Sequence, residues 1–437
     1  MTPLLTGLLI VAALIGVLAV GTPIAFALGF ISVAALLIAE GAGSLSILPE
    51  VFFGGLNSFS IVSIPMFILM GAAVASSPAG RDLYDALDRW LNRVPGGLVL
   101  SSIGACSIFA ALSGSSPATC AAIGKMGIPE MTKRGCPKEI AAGSIAAGGT
   151  LGILIPPSVT MIVYGISTET SIGRLFIAGI LPGLMLTGLF IAWTMIDFRR
   201  RGLTLGDMTR HFTMRERIAA LPKVLPFLAV IVAILFVLYG GVATPSEAAG
   251  VGAVFCLLLA IVIYRIWTAP ALSRVFRDTL KESVMIMMII GASEIFSFAL
   301  SSLFITQSVA QWIAGLAINK WALLALINLF LLVAGFFLPP VAIILMTAPI
   351  LLPIVTQAGF DPYWFAVVLT INMEIGLITP PVGLNLYVIN GIAPDISLRQ
   401  ILLGSLPYVG CMVLGIVLLC IFPEIATWLP NLMMGRG

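Results

Sequence analysis

The sequence predicts an all-α polytopic membrane protein in which two inverted repeats each supply a re-entrant hairpin and a broken helix. Three observations carry that expectation. Hydrophobic residues make up 60% of the chain and charged residues 9%, against about a quarter charged in a soluble domain. Sliding the sequence by 224 residues superposes Ala118 on Ala342, Pro129 on Pro353, Thr132 on Thr356, Gly135 on Gly359, Ala142 on Ala366, Gly152 on Gly376 and Pro156-Pro157 on Pro380-Pro381. With one residue inserted, Arg174, Gly179 and Pro182 fall on Arg399, Gly404 and Pro407. Finally, the base of the first hairpin carries Lys125, Lys133, Arg134 and Lys138, whereas that of the second, AGFDP (358–362), has no Lys or Arg. Because basic residues stay cytoplasmic, the two hairpins are expected to open to opposite sides.

Taken in order, apolar runs long enough for a hydrocarbon core of about 30 Å occupy 3–20, 23–39 and 59–76. The N-terminal run lacks the basic stretch and cleavage site of a signal peptide, so it is read as a retained first span. Residues 79–94 set Leu83, Leu87 and Leu91 at helical spacing against Asp82, Asp85, Asp88, Arg89 and Arg93. That pattern is an amphipathic helix lying along the interface. From Leu98 to Leu112 the chain is apolar, turns at SGSSPAT (113–119) and returns to the basic cluster. Each arm is too short to cross, so the tip sits at membrane depth, where irregular backbone is tolerated only under cover of protein or a watery cavity.

A broken helix (138–166), a short loop (167–171) and a span (174–197) follow. The loop 199–223 holds Arg199, Arg200, Arg201, Arg210, Arg215, Arg217 and Lys223 and is therefore cytoplasmic. Spans at 224–243 and 246–264 return to Arg265, Arg274, Arg277 and Lys281, and 284–305 crosses again. The second hairpin (321–357) turns at FFLPPVA, and a second broken helix (363–391) and a final span (399–422) complete the chain. This count leaves both termini outside. The expected divisions are scaffold spans (1–78), an interfacial helix (79–96), a first repeat core (97–198), the cytoplasmic loop (199–223), further scaffold with an interfacial segment (224–283) and a second repeat core (284–437).

Inverted repeats with broken helices are the architecture of secondary transporters, whose sites lie at mid-membrane between the repeats. Gly148-Gly149 weakens the first broken helix, and Pro156-Pro157 removes donors and crowds the preceding turn. Unwinding exposes carbonyl oxygens that suit a cation, and helix N-termini that suit an anion. The candidate ion ligands are Ser113, Gly114, Ser115, Ser116, Gly149, Thr150 and Gly152 in the first repeat. Their counterparts in the second are Gly376, Thr379 and Gly383, with Leu338 and Val341 at the tip. Substrate contacts are expected at Ser116, Thr119, Pro157, Pro381 and Asn385, although Asn385 serves equally well as an interhelical hydrogen-bonding residue. Glu374, which the repeat aligns with Thr150, is a carboxylate inside a span and a candidate for coupling.

Most of these ligands do not titrate, and hard cations need only several oxygens at fixed distance. Sodium at two related sites is therefore expected, with no transition metal and no other cofactor. The six cysteines (106, 120, 136, 256, 411, 420) lack metal or disulfide spacing. The single histidine, His211, falls in the cytoplasmic loop, and no GxxxxGK[ST] motif occurs. The residues thus offer no enzymatic chemistry, energy is expected from an ion gradient or from a partner ATPase, and a dispersed net charge of +3 does not point to nucleic acid.

These residues resemble the large membrane subunit of TRAP (tripartite ATP-independent periplasmic) transporters. The resemblance spans essentially the whole chain through SIPMFILMGAAV (63–74), SGSSPATCAAIG (113–124), GGTLGILIPPS (148–158), APILLPI (348–354) and GLITPPVGLNLYV (376–388). It implies an elevator-type, sodium-coupled importer of organic acids in the bacterial inner membrane, within the wider ion transporter superfamily. It also implies two partners, a small membrane subunit and a periplasmic substrate-binding protein. Where many relatives are expected to place a carboxylate at the second hairpin tip, this chain has Pro339-Pro340. A free-standing sodium- or proton-coupled anion symporter would share the fold without needing partners.

Overall fold

A backbone surrounded by hydrocarbon must satisfy its own N–H and C=O groups, which favours helix. The computed structural model describes residues 2–94, 96–203, 212–315 and 319–435, and its regular elements are all helices. The first half comprises α1 (Pro3–Ala19), α2 (Ile24–Glu40), α3 (Leu48–Leu56), α4 (Ser63–Ala75), α5 (Ala79–Leu91), α6 (Gly97–Ser113), α7 (Ser116–Lys133), α8 (Lys138–Thr150), α9 (Val159–Ser167) and α10 (Ile172–Arg200). The second comprises α11 (Met214–Tyr239), α12 (Pro245–Val262), α13 (Ala269–Ser302), α14 (Ile305–Gly315), α15 (Lys320–Gly335), α16 (Pro340–Gln357), α17 (Pro362–Leu377), α18 (Leu384–Ile392), α19 (Leu398–Ile421) and α20 (Glu424–Met434). Among the described residues six helices are long and apolar enough to cross a membrane, or seven if the bent pair around α3 and α4 is one span.

Local chemistry sets many of these boundaries. Thr213 with Glu216, Thr244 with Glu247 and Ser397 with Gln400 form reciprocal capping boxes that start α11, α12 and α19. The amphipathic helix expected from residue 79 is α5, and its apolar face, with Leu83 and Tyr84 buried, packs on α6 and α11.

Several expectations are corrected. The run 59–76 is a 3-10 turn (Phe59–Val62) leading into α4, and the preceding segment Ala42–Leu56 is bent by 58° from it. The loop expected over 199–223 ends early, because the capping box starts α11 at Met214 and leaves Arg215, Arg217 and Lys223 helical. Arg210 and His211 lie outside the described residues. The division placed at 283 falls inside α13, which starts at Ala269 and runs 34 residues with no glycine or proline between Pro270 and Gly291 to interrupt it. The amphipathic helices α14 and α20 had no counterpart in the sequence reading.

The 224-residue offset pairs α2 with α12 and α6 to α9 with α15 to α18; the shifted register pairs α10 with α19. Corresponding helices exchange partners across the halves: α2 packs on α13 while α12 packs on α4, and α9 packs on α16 while α18 packs on α7. Six ion pairs among the described residues gather at one end, including Arg134–Asp88 at 2.9 Å, Lys138–Asp395 at 2.6 Å and Lys223–Asp82 at 3.1 Å. All involve α5, the base of the first hairpin, the end of α10, α11 or the loop before α19.

The repeat predicts a labelling result. Lys133 and Gln357 occupy corresponding, exposed positions at the two hairpin bases. Lys133→Cys is expected to react with an impermeant thiol reagent from the cytoplasmic side and Gln357→Cys from the opposite side. Labelling of both from one side would show that the halves are not inverted. The native Cys136 is a poor reporter, being buried with its thiol pushed up to about 12 by that burial.

Candidate functional site

The first hairpin turns because Gly114 takes a left-handed φ of +58° and its N–H closes on the Ala110 carbonyl at 2.9 Å, ending α6. Ser115 is extended, and α7 starts at Ser116 with Pro117 in its first turn, where a missing N–H costs nothing. The Thr119 hydroxyl donates to the Ser115 carbonyl at 2.8 Å and lies 2.8 Å from the Ser113 hydroxyl. Ser115 Oγ has no hydrogen-bond partner among the described residues.

The first break lies against this tip. α8 ends at Thr150, a 3-10 turn covers Leu151–Ile153, the Pro156-Pro157 bond is cis, and Ser158 caps α9 by accepting from the Met161 N–H at 3.3 Å. A β-carbon at Gly152 would stand 2.8 Å from the Ser115 carbonyl oxygen, and one at Gly114 would stand 3.1 Å from that of Pro157. One at Gly149 would overlap Cys120 Sγ. Glycine is required at these close approaches, and the structure thus brings Ser113 to Ser116 together with Gly149, Gly152 and Pro157.

The second repeat repeats the theme with different contacts. A β-carbon at Gly376 would stand 2.6 Å from the Gly335 carbonyl oxygen, and the Val382 N–H donates to the Phe336 carbonyl at 3.2 Å. Pro380-Pro381 is likewise cis, and Gly383 holds φ at +51° beside the Thr379 carbonyl. Leu338 and Val341 sit half-buried on the tip, whereas Pro381 is exposed. The Thr150 hydroxyl donates to the Ala147 carbonyl of α8 at 2.6 Å, and that of Thr379, just beyond α17, donates to the Ile375 carbonyl at 2.7 Å, so each oxygen keeps acceptor capacity.

Two residues tie the halves or stand alone. Asn385 Nδ2 donates to Ser116 Oγ at 2.8 Å and to the Ala146 carbonyl at 3.1 Å, fastening α18 to α7 and α8. Glu374 is fully buried, and neither carboxylate oxygen has a hydrogen-bond partner among the described residues. Sequence reasoning missed a third feature, the bond from Asn372 Nδ2 to the Asn328 backbone and side-chain oxygens at 2.9 and 3.0 Å, which joins α15 to α17. It also missed Gly71 of α4, where a β-carbon would stand 2.6 Å from the Ser113 carbonyl oxygen.

A cavity of about 510 Å³ reaches the first tip at Ser113, Ser115 and Val159, the first residue of α9. Four helices, α7, α9, α16 and α18, begin at the hairpin tips or just after the breaks; α6, α8, α15 and α17 end there. N-termini carry partial positive charge and C-termini partial negative charge, so such a centre suits an anion and a cation together. Among the described residues no cluster of His, Cys, Asp and Glu could hold a metal ion.

Two hairpins and two broken helices around a polar centre, within an apolar helical shell, define a multi-pass membrane transport protein. The family model described as "Tripartite ATP-independent periplasmic transporter, DctM component" matches residues 11–425, and the chain belongs to that family. It is similar to the C4-dicarboxylate TRAP transporter large permease of Pseudomonas aeruginosa, with 40% identity over 373 residues, 85% of this chain and 86% of the relative. It is also similar to the isethionate TRAP transporter permease DctMQ of Oleidesulfovibrio alaskensis, at 36% identity over 93% of this chain and 64% of that one. The sialic acid large permease of Vibrio cholerae is 29% identical over 97% of this chain and 98% of its own length. The crystal structure of the Alcanivorax borkumensis YdaH transporter shares the fold, with a TM-score of 0.63 over 90% of each chain at 18% identity. These permease relatives are transporter subunits and not enzymes.

Gly152→Ala is expected to force the break away from the Ser115 carbonyl, destabilising the protein by about 1–3 kcal/mol. The check is thermal unfolding in detergent, with Gly188→Ala as control because a β-carbon there meets nothing within 4 Å. Equal melting of the two variants would contradict the packing described.

Proposed function

We propose that this permease imports an organic carboxylate across the bacterial inner membrane, driven by sodium and moving by an elevator mechanism. A periplasmic binding protein delivers the substrate and a small membrane subunit stands beside the scaffold. The observation that carries the reading is the duplicated centre of hydroxyls, backbone carbonyls and helix N-termini around Ser113–Ser116 and Gly376–Gly383, which offers oxygens to a hard cation and positive helix ends to a carboxylate. The carboxylate class also agrees with the C4-dicarboxylate and sialic acid permeases among the relatives. The longer isethionate relative, named DctMQ, is consistent with a second membrane component joined to a permease of this length.

Ser113, Ser115, Ser116, Thr150 and the Gly149 and Gly152 backbone form one sodium site in this reading. Thr379, Gly376 and Gly383 form the other, and Glu374 adds a negative charge beside it. The hairpins and broken helices move together against α1, α2, α11 and α12. Along α4 the residues facing the tip are Ile68, Gly71, Ala72 and Ala75, mostly small, which gives the moving tip a smooth surface to cross.

Reconstitution with both partners into proteoliposomes, with labelled succinate as probe, tests the proposal. An inward sodium gradient is expected to drive accumulation. Glu374→Gln should weaken but retain it, and Ser115→Ala with Thr150→Ala should shift the sodium dependence several-fold upward. Uptake driven by a pH gradient alone in sodium-free vesicles, and abolished by Glu374→Gln, would replace sodium with protons. Uptake without the binding protein would mark a free-standing symporter.

A further inference from the structure

The cavity that ends at Ser113 and Ser115 has a second, charged end. Its lining there includes Arg81 at the start of α5, Lys125 on α7, and Asp278 and Glu282 one turn apart on α13. All four are exposed, and none makes an ion pair among the described residues. Their neighbours at the same end behave differently: Arg134, Lys138, Arg201 and Lys223 are each held by a carboxylate. Close packing sets Arg81 near the helix that carries Lys125, because a β-carbon at Gly80 would stand 3.3 Å from Ile123 and 3.5 Å from the Ala122 carbonyl.

We propose that Arg81 and Lys125 form the anion-receiving wall of a cytoplasmic vestibule, which draws a carboxylate off the Ser113–Ser115 tip during release. The inference rests on the reading of the chain as an organic-acid importer and extends it to the exit path. Lys125 lies nine positions beyond Ser116 along α7, about 14 Å of helix. Lys125 therefore does not belong to the tip's own set of ligands. Unpaired cations lining a low-dielectric cleft focus the field and raise the local concentration of anions. Asp278 and Glu282 line the same cavity and temper that positive field, so that an anion is led outward without being retained.

The test uses Ser115→Cys as a reporter in membrane vesicles, with the protein lacking that substitution as background. Modification rates are compared for anionic sulfonatoethyl methanethiosulfonate and its cationic trimethylammonium analogue. From the cytoplasmic face the anionic reagent is expected to react faster. Arg81→Gln with Lys125→Gln should slow it at least several-fold and speed the cationic one, while Lys125→Arg alone should preserve the preference. Asp278→Asn with Glu282→Gln should shift the preference the other way, which keeps the idea testable if the first pair folds poorly. Rates indifferent to all these changes would overturn the proposal, as would modification from the periplasmic face alone. Sodium-driven succinate uptake by the unsubstituted complex separates the two levels. Uptake with no charge preference removes the vestibule only, whereas a charge preference without uptake removes the importer reading.

Discussion

Two interrupted helices deep inside an apolar shell leave backbone groups that no helix satisfies, and leaving such groups unpaired in hydrocarbon costs several kcal/mol each. The fold is arranged around meeting that cost. The first break closes on its hairpin tip through Gly114 and Gly152, and the second through Gly376 and the Val382-to-Phe336 bond. Each segment beyond a break then crosses to the other half, α9 onto α16 and α18 onto α7. Neither half can therefore be assembled around its own break alone. Asn385, bonded to Ser116 and the Ala146 carbonyl, is a buried polar fastening between the two, as is the Thr194–Tyr408 hydroxyl pair at 2.9 Å.

The halves diverge where the repeat aligns different chemistry. Gly104 and Gly148 in the first half correspond to Asn328 and Asn372 in the second. In the first, a β-carbon at Gly148 would stand 3.1 Å from Cys106, so α6 and α8 approach through small residues; in the second, an asparagine pair holds α15 to α17. The first break is almost wholly buried, while Pro380, Pro381 and Val382 of the second are exposed. Ion pairs also gather at the first hairpin's end, where Lys138 holds the Asp395 carboxyl below its ordinary value by hydrogen bonding. A duplicated frame thus carries one tightly packed half and one more open one.

Much of this frame was legible in the sequence because the cues are local. Proline pairs after glycine mark breaks, SGSSPAT marks a turn, and the charges on 79–91 mark an amphipathic helix whatever packs above them. Failures came where tertiary packing decides. Nothing in the alternation of 269–302 separates an interfacial segment from a continuous helix, and the division at 283 followed charge, which a long helix carries past the membrane surface without breaking. The helical segment Ala42–Leu56, bent against α4, had no counterpart among the apolar runs, because Gly54, Gly55 and Asn57 interrupt its hydrophobic pattern. At the centre, residue types identified the candidates, yet Gly71 and the Asn328–Asn372 bond come from elements distant in sequence. The same holds for the cavity lining: Arg81 and Lys125 look like any basic residues near a hairpin base until the structure shows them lining the cavity that reaches Ser113 and Ser115, with no ion pair of the kind that holds Arg134 and Lys138.

The composition of the centre has a consequence for coupling. Apart from Glu374, its candidate ligands are uncharged hydroxyls, carbonyls and helix ends. A helix terminus is equivalent to roughly half an elementary charge at most and acts only over its last turn. Neither a cation nor a carboxylate is strongly held by such a set on its own, since each must give up hydration without a full counter-charge in return. When both are present, each supplies what the protein withholds from the other, and the interaction is strengthened by the low-dielectric surroundings. Under the proposed reading, coupling then needs no titrating switch: a centre that leaves most of the charge balance to its two ligands binds them together and carries neither well alone.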